Sequence, residues 1–533
     1  MKFSSLILLS LSMFSYVSCS TEISHKIELC GRAVITAEST KSVGNGLDFT
    51  NYILGEESKR DILLSPLYLG GDLNAVRAVF ENFFPHEKLN VTENVQEDVL
   101  GNEIGTYFTF YSKSQEDLII FQNEMSKRGV ELGLKSESQS QCAPGLVNIS
   151  VLKLDPKEFD GSVVTNLSKG HVLGLDKISN HVKSLDSKNT TPVAAINGGY
   201  FVINNEQGYL GDPAGISVIG GRLVSEAVRG RPALLIHNGS RISFNVLEEV
   251  TTEAFIINAG KKINLLGINR QLGSIFNCGL NEGEFTFVSH DSVCSINNDL
   301  VIYDRDFGEV DVVISTSSAY AIIDENGMVL SSNDAIDGIL PTGYYLLAAI
   351  GKRYVEVIDN LRGKVEYSWN VYSHGKKVPI DENTYLINGG PTLIQDGVIQ
   401  YSRFKKEGWN TVDIISAESS VDERDGLTLS PESTKRANFY KGWLLTRHPR
   451  TAVGIDSEGN AYFAVVYGRN PLYSDGISVP ELAQFFHSLG IQKAINLDGG
   501  GSSTMYLDGK LTGIPSDSNG ERNVAEAIII SSK

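Results

Sequence analysis

In the stretch AINLDGGGSSTMYLDGKLTG, Ala494 to Gly513, an apolar run stops at Asp498 and is followed by Gly499, Gly500, Gly501, Ser502 and Ser503. A carboxylate at the exit of a buried strand could act as a nucleophile or a base. Glycines beside it would let backbone N–H groups reach a small polar ligand with no Cβ in the way. A tight turn is the competing explanation. Two other chemistries do not fit. A phosphate-cradling loop needs G-x-x-x-x-G-K-[ST] ahead of a helix, and GGGSSTMY lacks the Lys and leads into a strand. A nucleophile elbow needs G-x-S-x-G, and Thr504 stands where the closing Gly belongs. Three further segments carry candidate groups. AAINGGYF ends a strand on Asn197, Gly198 and Gly199, and INGGPTLIQDG repeats that core at Asn388; each could be an ordinary Asn-Gly turn or a strand exit facing a ligand. TRHPRTAVGID gathers Arg447, His448 and Arg450, and YGR adds Arg469, the kind of cationic fork that a phosphate needs. Asp456 and Asp508 each precede a hairpin turn and read as structural, and His448, beside Pro449 in a loop, as a surface or packing residue.

These groups need a scaffold, and the pattern supplies one. In SVPELAQFFHSLG, Ser478 and Glu481 form a capping box, Pro480 sits in the first turn, Leu482, Phe485, Phe486 and Leu489 make one apolar face, and Gly490 stops the helix. The helix feeds IQKAINLD, which puts Asp498 where a buried strand exits. Hairpins are predicted at AYAIIDENGMVLS, turning at Glu325 to Gly327, and at AVGIDSEGNAYFAVVYG, turning at Ser457 to Asn460. Earlier, GTYFTFYSKSQEDLIIFQNEMSKRGVEL reads as strand, helix and strand, the helix carried by Leu118, Phe121 and Met125 and ending before Gly129. The polar patch KSESQSQCAPG, with Pro144, marks a boundary. The expected organisation is α+β: a small N-terminal α+β module over 21–143, then a mixed, strand-rich catalytic domain with few helices over 146–533. The charged segment from Tyr401 to Trp443 reads as an inserted lobe or flap.

A chain of 533 residues exceeds one compact core at roughly 150 residues per domain. It is 41% hydrophobic and 21% charged, the composition of a folded protein. A net charge of −18 argues against a nucleic-acid partner, which would require clustered Lys and Arg. Residues 1–20, MKFSSLILLSLSMFSYVSCS, read as a secretory signal, with YVSC leaving room for a lipid anchor at Cys19, and no later run is long enough for a membrane helix. A secreted or extracytoplasmic location is therefore expected. Of the remaining cysteines, Cys278 and Cys294 are the nearer pair, Cys30 and Cys142 the other, with four free thiols as the alternative. No zinc or EF-hand spacing is present, so no metal ligands or cofactors are assigned, although the abundant acids leave room for a divalent cation.

Taken in order, AAINGGYF, INGGPTLIQDG, RHPRTAVGID, VVYGRNPLYSDGISVPELAQFFHSLG, AINLDGGGSSTMY and ERNVAEAIII resemble the phosphodiester glycosidase family. GINRQLG and LVIYDRDFG are similar to its middle portion. The resemblance runs from about Leu146 to Lys533, with INRQ where the family tends to have an Asn-Arg-Pro run and with a longer Tyr401 to Trp443 segment. It implies hydrolysis of a sugar 1-phosphodiester, or of a phosphate-linked glycan polymer of the cell envelope, to free sugar and a phosphomonoester. It also implies that Arg450 and Arg469 hold the phosphate, Asp498 serves the anomeric carbon, and Asn197 and Asn388 fix sugar hydroxyls or the acetamido group. Gly198, Gly199, Gly499, Gly500, Gly501 and Ser502 would then flank the substrate. The alternatives are a non-catalytic glycan-binding envelope protein and a phosphodiesterase cutting the P–O bond.

Overall fold

The computed structural model describes residues 28–29, 32–33, 35–56, 61–85, 88–137, 145–185, 191–228, 230–278, 293–330, 338–407, 409 and 437–533. The expected signal, Cys19, the Cys30 and Cys142 pair and the interior of the 401–443 segment lie outside them.

An eight-stranded sheet forms the centre. Its order is Val398–Ile399, Thr392–Gln395, Lys493–Asn496, Arg450–Ile455, Ala461–Val466, Val147–Leu154, Leu47–Leu54 and Ile35–Gly44. The middle strands are apolar nearly throughout because both of their faces are covered. Alternation divides their side chains between two cores. Val453, Phe463, Val465 and Ile495 pack with Val163, Ile196, Ile387 and Ile528 from two five-stranded sheets. Ala452, Ala464, Val466 and Ala494 face the other way, toward Leu482, Phe485 and Phe486 of the helix Val479–Ser488. That helix starts as its sequence predicts: the Ser478 hydroxyl accepts from Glu481 N, and the Glu481 carboxylate accepts from Ser478 N.

One five-stranded sheet sets Gly161–Leu167, Glu526–Ser532, Thr191–Asn197, Met505–Leu507 and Lys510–Leu511 side by side. The chain's last strand thereby lies beside the strand that ends on Asn197. The other sheet carries Thr384–Asn388 between Ser217–Ile219 and Ala233–Asn238. A further pair of four-stranded sheets, with the helix Lys352–Asn360, surrounds a third core built on Leu300, Leu347 and Ile358. Both hairpins are present: Arg450–Ile455 pairs with Ala461–Val466 around Asp456 to Asn460, and Ala319–Ile323 turns back through a bridge from Ile323 to Val329. Cys278 and Cys294 form a disulfide with Cα atoms 6.0 Å apart.

The sheets do not follow the boundary expected at residue 143. Leu47–Leu54 pairs residue by residue with Val147–Leu154, from Leu47 against Leu154 to Leu54 against Val147, so 35–54 belong to the central sheet. What stands apart is residues 61–136, a four-stranded sheet with the helices Gly70–Phe83 and Gln115–Ser126 over a core of Phe80, Phe108, Phe110, Phe121 and Met125. This α+β module is an insertion between two neighbouring strands of the larger sheet. Among the described residues, no helix is long and apolar enough to cross a membrane.

Candidate active site

Three strands end on an asparagine at one edge of the scaffold: Thr191–Asn197, Thr384–Asn388 and Lys493–Asn496. Each side-chain amide ties loops together. Asn197 is 1% exposed; its Oδ1 accepts from the Thr451 hydroxyl at 2.7 Å and from Thr504 N at 3.2 Å, and its Nδ2 donates to Asp498 O at 2.8 Å. Asn388 Oδ1 accepts from Tyr200 N at 2.8 Å and its Nδ2 donates back to Tyr200 O at 3.2 Å. Asn496 Nδ2 donates to the Tyr200 hydroxyl at 2.7 Å, and that hydroxyl donates to Gly390 O at 2.7 Å. The expected sugar contacts from Asn197 and Asn388 are therefore corrected: both amides are buried and hydrogen-bonded within the protein, Asn197 to Thr451, Thr504 and Asp498 and Asn388 to Tyr200, and they position Asp498 and Tyr200 instead.

The glycines also have a different use from the expected one. Gly499 N donates to Asp498 Oδ1 at 2.9 Å and Gly500 N to Pro449 O at 2.8 Å, so these two amides are not aimed at a ligand. Gly500 has φ +61, and a Cβ there would lie 3.1 Å from the Arg469 guanidinium. A Cβ on Gly501 would fall 2.1 Å from Arg522 and 2.3 Å from Asp517. The run is glycine because arginines pack over it. Gly198 and Gly199 are closed in by Ile387 and Asn388, which leave no room for a Cβ. Ser502 is 1% exposed beneath Asp498, where its hydroxyl helps to hold the carboxylate in its charged form.

Above this floor opens a cavity of about 420 Å³ lined by Tyr200, Asn438, Phe439, Gly442, Trp443, His448, Arg450, Arg469, Asp498, Gly499, Gly500 and Arg522. Asp498 is the one carboxylate among these residues; three guanidiniums line the same cavity, and those of Arg522 and Arg450 act on its charge. Arg450 is held by Ile477 O at 3.3 Å and by Trp443 O, with its guanidinium 5.4 Å from the Trp443 ring centroid. Arg522 makes a two-pronged pair with Asp517 at 2.7 and 3.0 Å. Arg469 donates from Nε to His448 Nδ1 at 3.4 Å, and His448 Nε2 lies 2.9 Å from Gly442 O. Burial, with Arg450 and Arg469 adding to it, pushes the His448 imidazole down to about 3. It is neutral at physiological pH and steadies Arg469. Burial likewise lowers Arg450 to about 10, with Arg469 reinforcing the effect, and raises Asp498 to about 6 against the pull of Ser502, Gly499 N–H, Arg522 and Arg450.

Of the RHPR run, Arg447 takes no part in the cavity; it pairs with Glu481 at 2.6 Å inside the protein. Arg522, within the quoted ERNVAEAIII, received no role from sequence, because nothing local marks it. It reaches the cavity only because the strand Glu526–Ser532 that follows it pairs with Thr191–Asn197. The described ends of the 401–443 segment also arrive here: Trp409 stacks on Trp443 with centroids 4.4 Å apart, and Tyr200 lies 5.7 Å from Trp409.

Fold and cavity together define a strand-rich α+β scaffold with a lone carboxylate in a cationic pocket, suited to an anionic, hydroxylated ligand. Residues 315–531 match the sequence profile of the phosphodiester glycosidase family. It is 37% identical over 86 residues to N-acetylglucosamine-1-phosphodiester alpha-N-acetylglucosaminidase of Bos taurus, covering 16% of each chain. It is 37% identical over 108 residues to an uncharacterized prophage-derived protein of Bacillus subtilis, covering 20% of this chain and 16% of that one. The chain thus matches about a sixth of the length of these curated relatives. A solved protein from Burkholderia pseudomallei superposes with a TM-score of 0.76 at 26% identity, over 96% of this chain and 98% of that one.

Proposed function

We propose that the protein is a glycoside hydrolase that cleaves a sugar 1-phosphodiester, of the N-acetylglucosamine 1-phosphodiester type, to free sugar and a phosphomonoester. The single observation that carries this reading is that one carboxylate, Asp498, and the guanidiniums of Arg450, Arg469 and Arg522 line one cavity. Glycosidases ordinarily use two carboxyl groups, one of them an acid that protonates the departing oxygen. A phosphomonoester is a weak base and leaves without that proton, so the second carboxyl can be replaced by cations that hold the developing charge. In this reading the arginines bind the phosphodiester, the bond from anomeric carbon to oxygen breaks, and water supplies the new hydroxyl. Asp498 serves the anomeric carbon as nucleophile or as base to that water. Asn197, through Asp498 O, and Asn496, through Tyr200, keep the carboxylate and the aromatic wall in place. The domain match and the named relative support the reaction class. Export belongs to the same reading: the apolar stretch after Lys2 has the form of a secretory signal, and envelope glycans would supply the substrate.

The experiment is incubation of the purified protein with an N-acetylglucosamine 1-phosphodiester, with assay of reducing sugar and phosphomonoester. Equal amounts of both are expected from wild type. Asp498→Asn, close in size and folded, is expected to release sugar at least a thousandfold more slowly. Wild-type rates from Asp498→Asn would overturn the role given to that residue, and saturable binding without release would make the cavity a glycan-binding site.

A further inference from the structure

A second cavity, of about 430 Å³, adjoins the first. Asn438 and Gly442 line both, so the helical segment 437–445 is their common wall. The opposite wall comes from the 61–136 module, through Tyr107 and Lys135 among others. Two amines line this space. Lys441 sits with Nζ 3.7 Å from the centroid of the Tyr107 ring, and among the described residues no carboxylate pairs with it. Burial takes its amine down to about 7, so an anion arriving beside it would restore the charge that burial removes. Lys135, exposed at its rim, lines the second cavity, and its charge adds weakly to those that lower the His448 imidazole of the first. The lining contains one carboxylate, Glu131, which is exposed and accepts from the Ser126 hydroxyl at 3.2 Å. In a chain of net charge −18, three arginines in one cavity and two lysines in the next are a marked local gathering of basic groups.

We propose that the second cavity receives the unit attached to the far side of the phosphodiester, and that Lys441 and Lys135 select substrates in which this unit carries a second anionic group. The inference rests on the reading of the first cavity as a sugar 1-phosphodiester site. The inserted module then has a role in catalysis, since it closes one side of the cleft and supplies part of the specificity. The volume suits a unit of sugar or polyol size, and lysine ammoniums, as point charges on flexible stems, suit an anion whose position varies with the unit that bears it. The substrate class is then a chain with anions on successive units.

Three N-acetylglucosamine 1-phosphodiesters test this, with glycerol, phosphoglycerol or glycerate as the second substituent. Wild type is expected to show kcat/KM at least tenfold higher for an anionic substituent than for glycerol; a preference for phosphoglycerol alone, or for both, identifies which anion is accepted. In Lys441→Met the ratio is expected to fall toward one. If Lys441 served only to hold the module through Tyr107, the variant would slow all three substrates alike and leave the ratio intact, which would overturn its assignment. A wild-type ratio near one overturns the proposal with no variant needed, so a poorly folding Lys441→Met does not shield it. If none of the three is cleaved, the hydrolase reading has failed instead. The subsite is then judged by calorimetric binding of the same compounds, where equal affinity for the neutral and anionic forms refutes it.

Discussion

Burial raises the Asp498 carboxyl to about 6, while the Ser502 hydroxyl, the Gly499 N–H and the Arg522 and Arg450 guanidiniums pull the other way. A nucleophile or base must be ionised, so kcat/KM is expected to rise with pH through about 6 and level off above it. The phosphodiester stays a monoanion across this range, and the neighbouring Tyr200 and Arg450 titrate well above it. A rate that falls on passing through pH 6 would instead make Asp498 an acid. Arg522 supplies the second test at this scale. It is anchored by Asp517 yet lines the cavity, so Arg522→Gln should lose a charge-assisted contact to phosphate of about 1.5–3 kcal/mol, a fall of roughly 10- to 100-fold in kcat/KM. A loss confined to thermal stability, with kinetics unchanged, would remove Arg522 from the site.

At the scale of elements, local signals were legible where they are self-contained. The capping box at Ser478 and Glu481, the helix carried by Leu118, Phe121 and Met125, and the hairpin around Asp456 to Asn460 each form inside one short window, and each appears as read. What sequence could not reveal is what partners across the chain do to a side chain. The two Asn-Gly-Gly exits read as turns or as ligand-facing strand ends, and only the family resemblance implies sugar contacts; Asn197 meets Thr451 and Thr504, and Asn388 meets Tyr200, more than 180 residues away in each case. The strand Leu47–Leu54 carries no mark of its partner Val147–Leu154, because the module between them hides the pairing. Arg447 and Glu481 show how such a partner changes a prediction. Both are nearly fully buried, and Arg447 holds the carboxyl of Glu481 below its usual range by charge and hydrogen bonding, although burial opposes this. The folded pKa is depressed, so the pair's contribution is present above the unfolded value near 4.5 and is lost as pH falls through the folded one. Arg447→Met should cost about 3–5 kcal/mol at neutral pH by removing the guanidinium that balances the buried Glu481 carboxylate, and adding Glu481→Met should recover much of it. Urea unfolding of the single and double variants checks this; a single variant within about 1 kcal/mol of wild type would contradict it.

Across the whole molecule, charge and topology converge on one place. A strongly acidic chain gathers Arg450, Arg469 and Arg522 from three separate segments, and the last strand returns beside the strand of Asn197 to complete the cavity. The family profile spans residues 315–531, whereas Asn197 and Tyr200 lie ahead of it, so the working cavity draws on more of the chain than the matched part. This is why motifs read one at a time single out Asp498, Arg450 and Arg469, which line one cavity, yet miss that the Asn197 and Asn388 amides are taken up inside the protein. The central claim is that the bond broken lies between the anomeric carbon and oxygen. Hydrolysis of an N-acetylglucosamine 1-phosphodiester in ¹⁸O-enriched water, sampled early in turnover, reads this directly. The account predicts the label in the released sugar and none in the phosphomonoester; label in the phosphate, with sugar 1-phosphate among the products, would contradict it.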